Sequence, residues 1–296
     1  MPKIENAPPI SEAELVEPWD LEIKSKNNLF DIKLNEVWRY RDLMWLFVRR
    51  DFVAQFKQTV LGPLWHVIQP VLTTVMFLLL FGKIAKLSVD GIEPTLFYLS
   101  GITIWTYFST CLTNTSNTFV TNAPIFGKVY FPRLVLPISI VISNMAKFAI
   151  QFGLLLVAII WFRIFKAVPI QLSIYWLAIP FLIFLLAGIG LGCGIIVSSV
   201  TTKYRDFSLL LIFVVQLGMY ATPIVYPLSS VKGSTVEWVM NLNPLTPIVE
   251  AFRFSLFGKG TVEAGGILYS VIFTVVSLVI GAITFNRVEK TFMDTV

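Results

Sequence analysis

Residues 172–199 read LSIYWLAIPFLIFLLAGIGLGCGIIVSS, 28 residues without one charged side chain. About 20 apolar residues in a helix cover the ~30 Å hydrocarbon core of a bilayer, so this stretch predicts a buried transmembrane helix. Gly188, Gly190, Gly192 and Gly194 form two overlapping GxxxG patterns within it. Small residues at that spacing let a neighbouring helix approach closely. The composition points the same way. Of 296 residues, 56% are hydrophobic and 14% charged, against about 45–50% and about 25% in an ordinary soluble domain. Mean hydropathy is +0.76. These values exclude a secreted disulfide scaffold, a disordered chain and a nucleic-acid-binding domain. A net charge of +5 is small for the length and suits the anionic inner face of a membrane better than a DNA groove.

Working outward, five more stretches are long enough to span: 61–83, 96–119, 134–162, 207–226 and 266–287. The third of the six spans carries Asn144, Lys147 and Gln151; the fifth ends in Thr222-Pro223-Ile224-Val225-Tyr226-Pro227, where a helix must break. The expected fold is an all-α membrane protein of six transmembrane helices over 59–296. Ahead of the spans, 34–58 alternates Val37, Tyr40, Leu43, Met44, Phe47, Val48 and Phe52 with Arg39, Arg41, Arg49, Arg50 and Lys57. That pattern predicts an amphipathic helix in the membrane surface. Residues 1–33 are polar and acidic and lack the apolar core of a signal peptide, which predicts a cytoplasmic N-terminal tail. Between spans five and six, 228–258 is too long for a bare loop and too short for two crossings. Its Asn243-Pro244 turn between two apolar runs predicts a re-entrant hairpin of two short helices. Eleven Lys and Arg residues flank the spans on the N-terminal side and seven on the other. This bias predicts that both termini are cytoplasmic.

Several chemistries have no residues to carry them. His66 is the one histidine, and Cys111 and Cys193 lie in apolar runs. No His-rich metal site and no Ser/His/Asp set is expected. Gly82-Lys83 and Gly258-Lys259 lack the glycine of a phosphate loop five residues earlier, so no ATP site is expected on this chain. The intramembrane carboxylates of an ion-coupled carrier are missing too. A transporter built this way must draw its energy from another subunit.

The loops carry a resemblance. Arg50-Asp51-Phe52, Gln55-Phe56-Lys57-Gln58, Leu61-Gly62-Pro63-Leu64-Trp65 and Gln69-Pro70 resemble the entry to the first span of ABC-2 type polysaccharide export permeases. Lys128-Val129-Tyr130-Phe131-Pro132-Arg133 with Leu136-Pro137-Ile138-Ser139 is similar to the connection between their second and third spans. Tyr204-Arg205-Asp206, Thr222-Pro223-Ile224-Val225-Tyr226, Asn243-Pro244 with Phe252-Arg253, and Glu289-Lys290 within 285–294 continue the series in order. It runs from about residue 35 to the end. The resemblance implies an ABC-2, or type V exporter, fold and a homodimer. Two copies of a separate ATPase subunit would bring ATP and magnesium, with no cofactor or metal on this chain. It implies outward export of O-antigen, capsule or teichoic-acid chains on a lipid carrier across the bacterial plasma membrane. No nucleic-acid partner is implied. An ABC-2 exporter of drugs or small lipids is the alternative.

Candidate residues follow from that frame. Lys128, Tyr130 and Arg133 lie on a short cytoplasmic loop. Their cations match a pyrophosphate headgroup; they equally serve as positive-inside anchors or dock the ATPase. Trp65 and His66 stand where an entrance would be, and His66 is equally a packing residue. Trp105, Tyr107 and Phe108 on the second span, with Tyr220 and Tyr226 on the fifth, are the candidate channel-lining aromatics. Arg49, Arg50, Lys57, Tyr204, Arg205 and Asp206 are candidates for ATPase coupling or membrane anchoring. Lys147, inside a span, either faces a lumen or snorkels. Glu250 and Arg253, three apart, form a structural clip rather than a substrate contact.

Overall fold

The computed structural model describes residues 34–57, 59–126, 131–168, 174–202, 204 and 206–293. The expected tail 1–33 lies outside them. Among the described residues every regular element is helical. The helices are α1 (Leu34–Arg39), α2 (Arg41–Phe56), α3 (Trp65–Phe77), α4 (Pro94–Ser116), α5 (Thr118–Phe126) and α6 (Val135–Phe165). They continue with α7 (Ile179–Thr201), α8 (Asp206–Tyr220), α9 (Glu237–Leu242), α10 (Thr246–Phe257) and α11 (Ala264–Met293). A 3-10 turn at Gly62–Leu64 leads into α3, and a π-helical turn at Leu78–Ile84 closes it. Another 3-10 turn, Ile174–Ala178, leads into α7.

Four helical stretches are long and apolar enough to cross a membrane: Gly62–Ile84, Val135–Phe165, Ile174–Thr201 and Ala264–Arg287. α4 differs from them in composition. Its 23 residues include many Ser, Thr and Asn. These hydroxyls bond back onto their own helix, Thr103 Oγ1 to Leu99 O at 2.8 Å and Thr110 Oγ1 to Thr106 O at 2.6 Å. Sixteen of its residues are buried, so a polar helix is tolerated because protein, not lipid, surrounds it.

α7 sits at the centre because its glycines serve two neighbours. A methyl on Gly188 would lie 2.5 Å from Thr274, and one on Gly192 2.6 Å from Ser277, both on α11. A methyl on Gly190 would lie 2.9 Å from Cys111, and one on Gly194 2.6 Å from Thr115, both on α4. The two GxxxG patterns, offset by two residues, thus seat two helices on nearly opposite faces of α7. Thr201 Oγ1 donates to Ser116 O at 2.8 Å and ties the C-terminal ends of α7 and α4 together.

The bundle has two ends. At the near end, where α4, α7 and α11 finish, Val37, Met44, Phe47, Phe119, Phe126, Phe131 and Phe285 share one cluster. Phe119 and Phe285 stack with centroids 4.6 Å apart. The apolar stripe expected over 34–58 is thus partly realised: Val37, Met44 and Phe47 are buried, whereas Phe52 is exposed. The helix there is also broken at Tyr40 into α1 and α2.

The far end holds α9 and α10, the two short helices expected within 228–258. α10 ends on Gly258, whose left-handed φ of 66° halts the helix without Cβ strain. α8 stops at Tyr220, short of the expected 226. Pro223 has no N–H and restricts the residue before it, and 221–224 form turns instead.

Candidate functional site

Two clefts open along the seam that α6 makes with α2, α3, α4 and α5. One, of about 560 Å³, is lined by Arg50, Asp51 and Gln55 of α2, Asn114 of α4, Asn122 of α5 and Asn144 of α6, among others. The second, of about 420 Å³, is lined by His66 and Gln69 of α3, Trp105 and Tyr107 of α4, and Gln151 of α6, among others. Gln55, Asn144 and Lys147 line both. Helical spacing builds this wall. Thr106, Thr110 and Asn114 recur every four residues on α4, and Asn144, Lys147 and Gln151 recur at three and four on α6.

The geometry within the clefts is specific. Arg50 Nε donates to Asp51 Oδ1 at 2.8 Å, its Nη2 donates to Asn122 Oδ1 at 3.3 Å, and its guanidinium lies 4.8 Å from the Phe47 ring centre. The Gln55 amide nitrogen lies 2.9 Å from His66 Nε2, and Phe56 meets the His66 ring edge-on at 5.6 Å. Tyr107 packs on Phe148 at 5.0 Å. Trp105 closes the side towards α8, where its ring would touch a methyl on Gly218 at 3.2 Å. Lys147 therefore faces the seam between helices.

The remaining candidates are dispersed. Phe108 is buried, its ring centre 5.5 Å from that of Trp105 and its backbone carbonyl against Gly190 of α7. Trp65 and Tyr220 are half-exposed. The Tyr226 hydroxyl donates to Tyr220 O at 2.6 Å. Arg49, Lys57, Tyr204 and Asp206 are exposed, with the Tyr204 ring 6.2 Å from Phe207. Arg133 is only 5% exposed, its guanidinium 5.0 Å from the Phe126 ring centre. Lys128, Tyr130 and Arg205 lie outside the described residues.

A second polar constellation, at the far end, centres on Arg253, which is 1% exposed. Its Nη2 donates to Ile224 O at 2.9 Å and its Nη1 donates to Pro223 O. Its guanidinium stacks 3.7 Å over Phe97, and Glu250 Oε1 lies 3.6 Å from Nη1. Glu250 in turn accepts from Leu228 N at 3.5 Å and Thr261 N at 3.3 Å. Burial pushes the Glu250 carboxyl above the ordinary carboxylate range, and the Arg253 charge beside it pulls it back. Asn243 Nδ2 donates to Ala221 O and Thr222 Oγ1, each at 2.8 Å. The carbonyls freed where α8 breaks are thus taken up by α10 and the turn before it. Sequence reasoning found the Glu250–Arg253 pair and missed its target, because the carbonyls lie 29 and 30 residues away along the chain.

Comparison with known proteins gives a consistent family. A model described as ABC-2 type transporter matches residues 42–257. The O-antigen export system permease protein RfbA of Klebsiella pneumoniae is 29% identical over 257 residues, covering 86% of this chain and 94% of that one. The protein of the same name from Myxococcus xanthus is 23% identical over 264 residues, 89% and 98% of the two chains. The polysialic acid transport protein KpsM of Escherichia coli is 25% identical over 252 residues, 83% and 93% of the two chains.

Proposed function

The chain belongs to the ABC-2 type transporter family, and on that premise we propose that it is the transmembrane permease subunit of a polysaccharide exporter. Its substrate is a lipid-linked chain of O-antigen, capsule or teichoic-acid type, moved outward across the bacterial plasma membrane. Relatives named for O-antigen export and polysialic acid transport align over most of both chains. The observation that carries the reading is the amide- and hydroxyl-lined seam beside α6. Amides donate and accept in pairs, as vicinal sugar hydroxyls do. Trp105 and Tyr107 add apolar faces for the C–H side of a sugar ring. A cleft for compact apolar drugs would be lined by apolar and aromatic side chains instead.

In this reading α4 and α8 join the four apolar helices to make six crossings. α4 crosses inside the bundle. α8, about 22 Å long at 1.5 Å per residue, crosses together with the turns that follow it. The near end is cytoplasmic, with both termini there, and α2 rests in the membrane surface. The α9–α10 hairpin dips back into the outer leaflet. Two copies of the chain pair with two ATPase subunits, which hold ATP and magnesium. α2, with Arg49, Arg50 and Lys57, and the loop at Tyr204, Arg205 and Asp206 receive the ATPase motion. Lys128 and Tyr130 meet the lipid headgroup. Arg133 holds that loop in place through Phe126, and Trp65 and His66 stand at the entrance. Tyr220 and Tyr226 restrain the outer end until it opens.

The test is co-expression of the tagged chain with the ATPase encoded alongside it, in a cell whose own permease is deleted. A co-purifying ATPase and restored surface polysaccharide are expected. A chain that reaches the membrane, binds no ATPase and restores no polymer overturns the reading.

A further inference from the structure

Three polar groups on the walls of the seam stand without a strong partner. Asn144 is 2% exposed; its Oδ1 accepts from Asn114 at 3.4 Å, and its Nδ2 has no hydrogen-bond partner. Tyr107 is also 2% exposed, and its hydroxyl has none either. The Cys111 thiol lies against both, and a thiol is a weak donor and a weak acceptor. Lys147, one turn from Asn144, makes no ion pair among the described residues, while the nearby Asp51 is held by Arg50 at 2.8 Å. An amide N–H, a phenol O–H and an ammonium from two helices therefore border one cleft, while Asp51, the carboxylate lining the adjoining cleft, is bonded to Arg50.

Buried donors left unmade are costly, and an intramembrane cation without a counter-ion more so. The same molecule gives Arg253, a fully buried cation, a carboxylate at 3.6 Å and two carbonyls. The donors of the seam thus call for acceptor oxygens and one negative charge from outside the chain. The clefts, about 420 and 560 Å³, fall in the range of small-molecule sites, roughly 300–1,000 Å³.

We propose that this seam binds a glycosyl phosphate: the phosphate sits on Lys147, and Asn144 and Tyr107 donate to its oxygens or to the attached sugar. Gln69 and Gln151 face the sugar hydroxyls, and Trp105 covers a ring face. The proposal rests on the polysaccharide-export reading for the source of the ligand, the sugar phosphate that joins the polymer to its lipid carrier. A phospholipid headgroup and inorganic phosphate share part of this chemistry, and the test separates them.

The full-length chain is purified into nanodiscs of zwitterionic lipid and titrated with a fluorescent short-prenyl diphosphate-linked N-acetylhexosamine. Lys147→Gln is expected to weaken binding about tenfold or more, the loss of one charge-assisted contact. Lys147→Arg is expected to retain most of it, and Asn144→Leu to weaken it while leaving the charge. Competition by hexosamine 1-phosphate, and not by the free hexosamine, supports the site. Equal competition by the free sugar overturns the phosphate contact, and equal competition by inorganic phosphate overturns the sugar contact. Displacement by nanodiscs of anionic phospholipid alone makes it a lipid site and overturns the proposal. Lys147→Gln binding as wild type, in a monodisperse sample, overturns it as well. If Lys147→Gln does not fold, Asn144→Leu and Lys147→Arg decide. Export restored in cells together with unchanged Lys147→Gln binding sinks this inference and leaves the permease reading. Lys147-dependent binding without ATPase or export does the reverse.

Discussion

Arg253 and Lys147 are both cations held among helices of one bundle, and the molecule treats them differently. Arg253 has a carboxylate, two carbonyls and an aromatic ring. Lys147 has a polar cleft on two sides. Both are expensive to bury. The far end meets that cost inside the chain, so the Arg253 knot makes the break after α8, α10 and the residues up to Thr261 one mechanical piece. The α6 seam leaves it unmet, which marks a place where something else completes the structure. Burial alone separates a clip from a site poorly; the list of partners separates them well.

The largest expected effect on stability breaks the knot. Arg253→Ala leaves Glu250 buried beside unpaired carbonyls, and removing one partner of a buried pair costs about 3–5 kcal/mol. Folded yield and thermal unfolding in detergent should fall sharply; near-wild-type unfolding would show that the far end does not depend on the pair. Gly194→Leu comes next and tests the dry face of α4. The added side chain drives into Thr115, and overpacking costs about 1–3 kcal/mol. Unchanged unfolding would mean that α7 and α4 separate easily. Asn243→Ala removes two 2.8 Å hydrogen bonds onto the broken end of α8, and a loss of about 1–2 kcal/mol is expected. Faster limited proteolysis within 221–230 should accompany it. The smallest expected effect on stability is that of Lys147→Met. Replacing an unpaired cation by an apolar chain of similar length should leave unfolding unchanged or raise it slightly, while export falls. A destabilised Lys147→Met with normal export would place Lys147 with Arg253, as a structural residue, and erase the contrast.

Much of this was readable in the sequence. Among the described residues each of the six long stretches is mostly helical, the fifth stopping at Tyr220, and the two short helices around Asn243-Pro244 are where the turn signal put them. Asn144, Lys147 and Gln151 stood out as polar residues in an apolar run, and their three-and-four spacing already set them on one face. Other features were not readable. Asn114 and Asn122 were unnoticed, because Ser, Thr and Asn are frequent from residue 100 to 122 and one more polar residue there carries no contrast. Arg133 read as an accessible cation, yet it lies buried over Phe126, a ring on α5 that no local pattern around residue 133 announces. The stripe over 34–58 promised one helix, and the break at Tyr40 followed no Pro or Gly.

The sequence by itself determined that this is a helical membrane protein, roughly where its long helices lie and to which family it belongs. Hydropathy, Pro and Gly act locally, within a few residues, so the chain carries those facts in its linear order. Only the tertiary structure decided which helices α7 holds with its two glycine faces, which carbonyls Arg253 caps, and that Lys147 faces an unpaired polar seam. Those depend on groups tens of residues apart meeting at 3 Å, and no local pattern encodes which partner, if any, a buried charge will find.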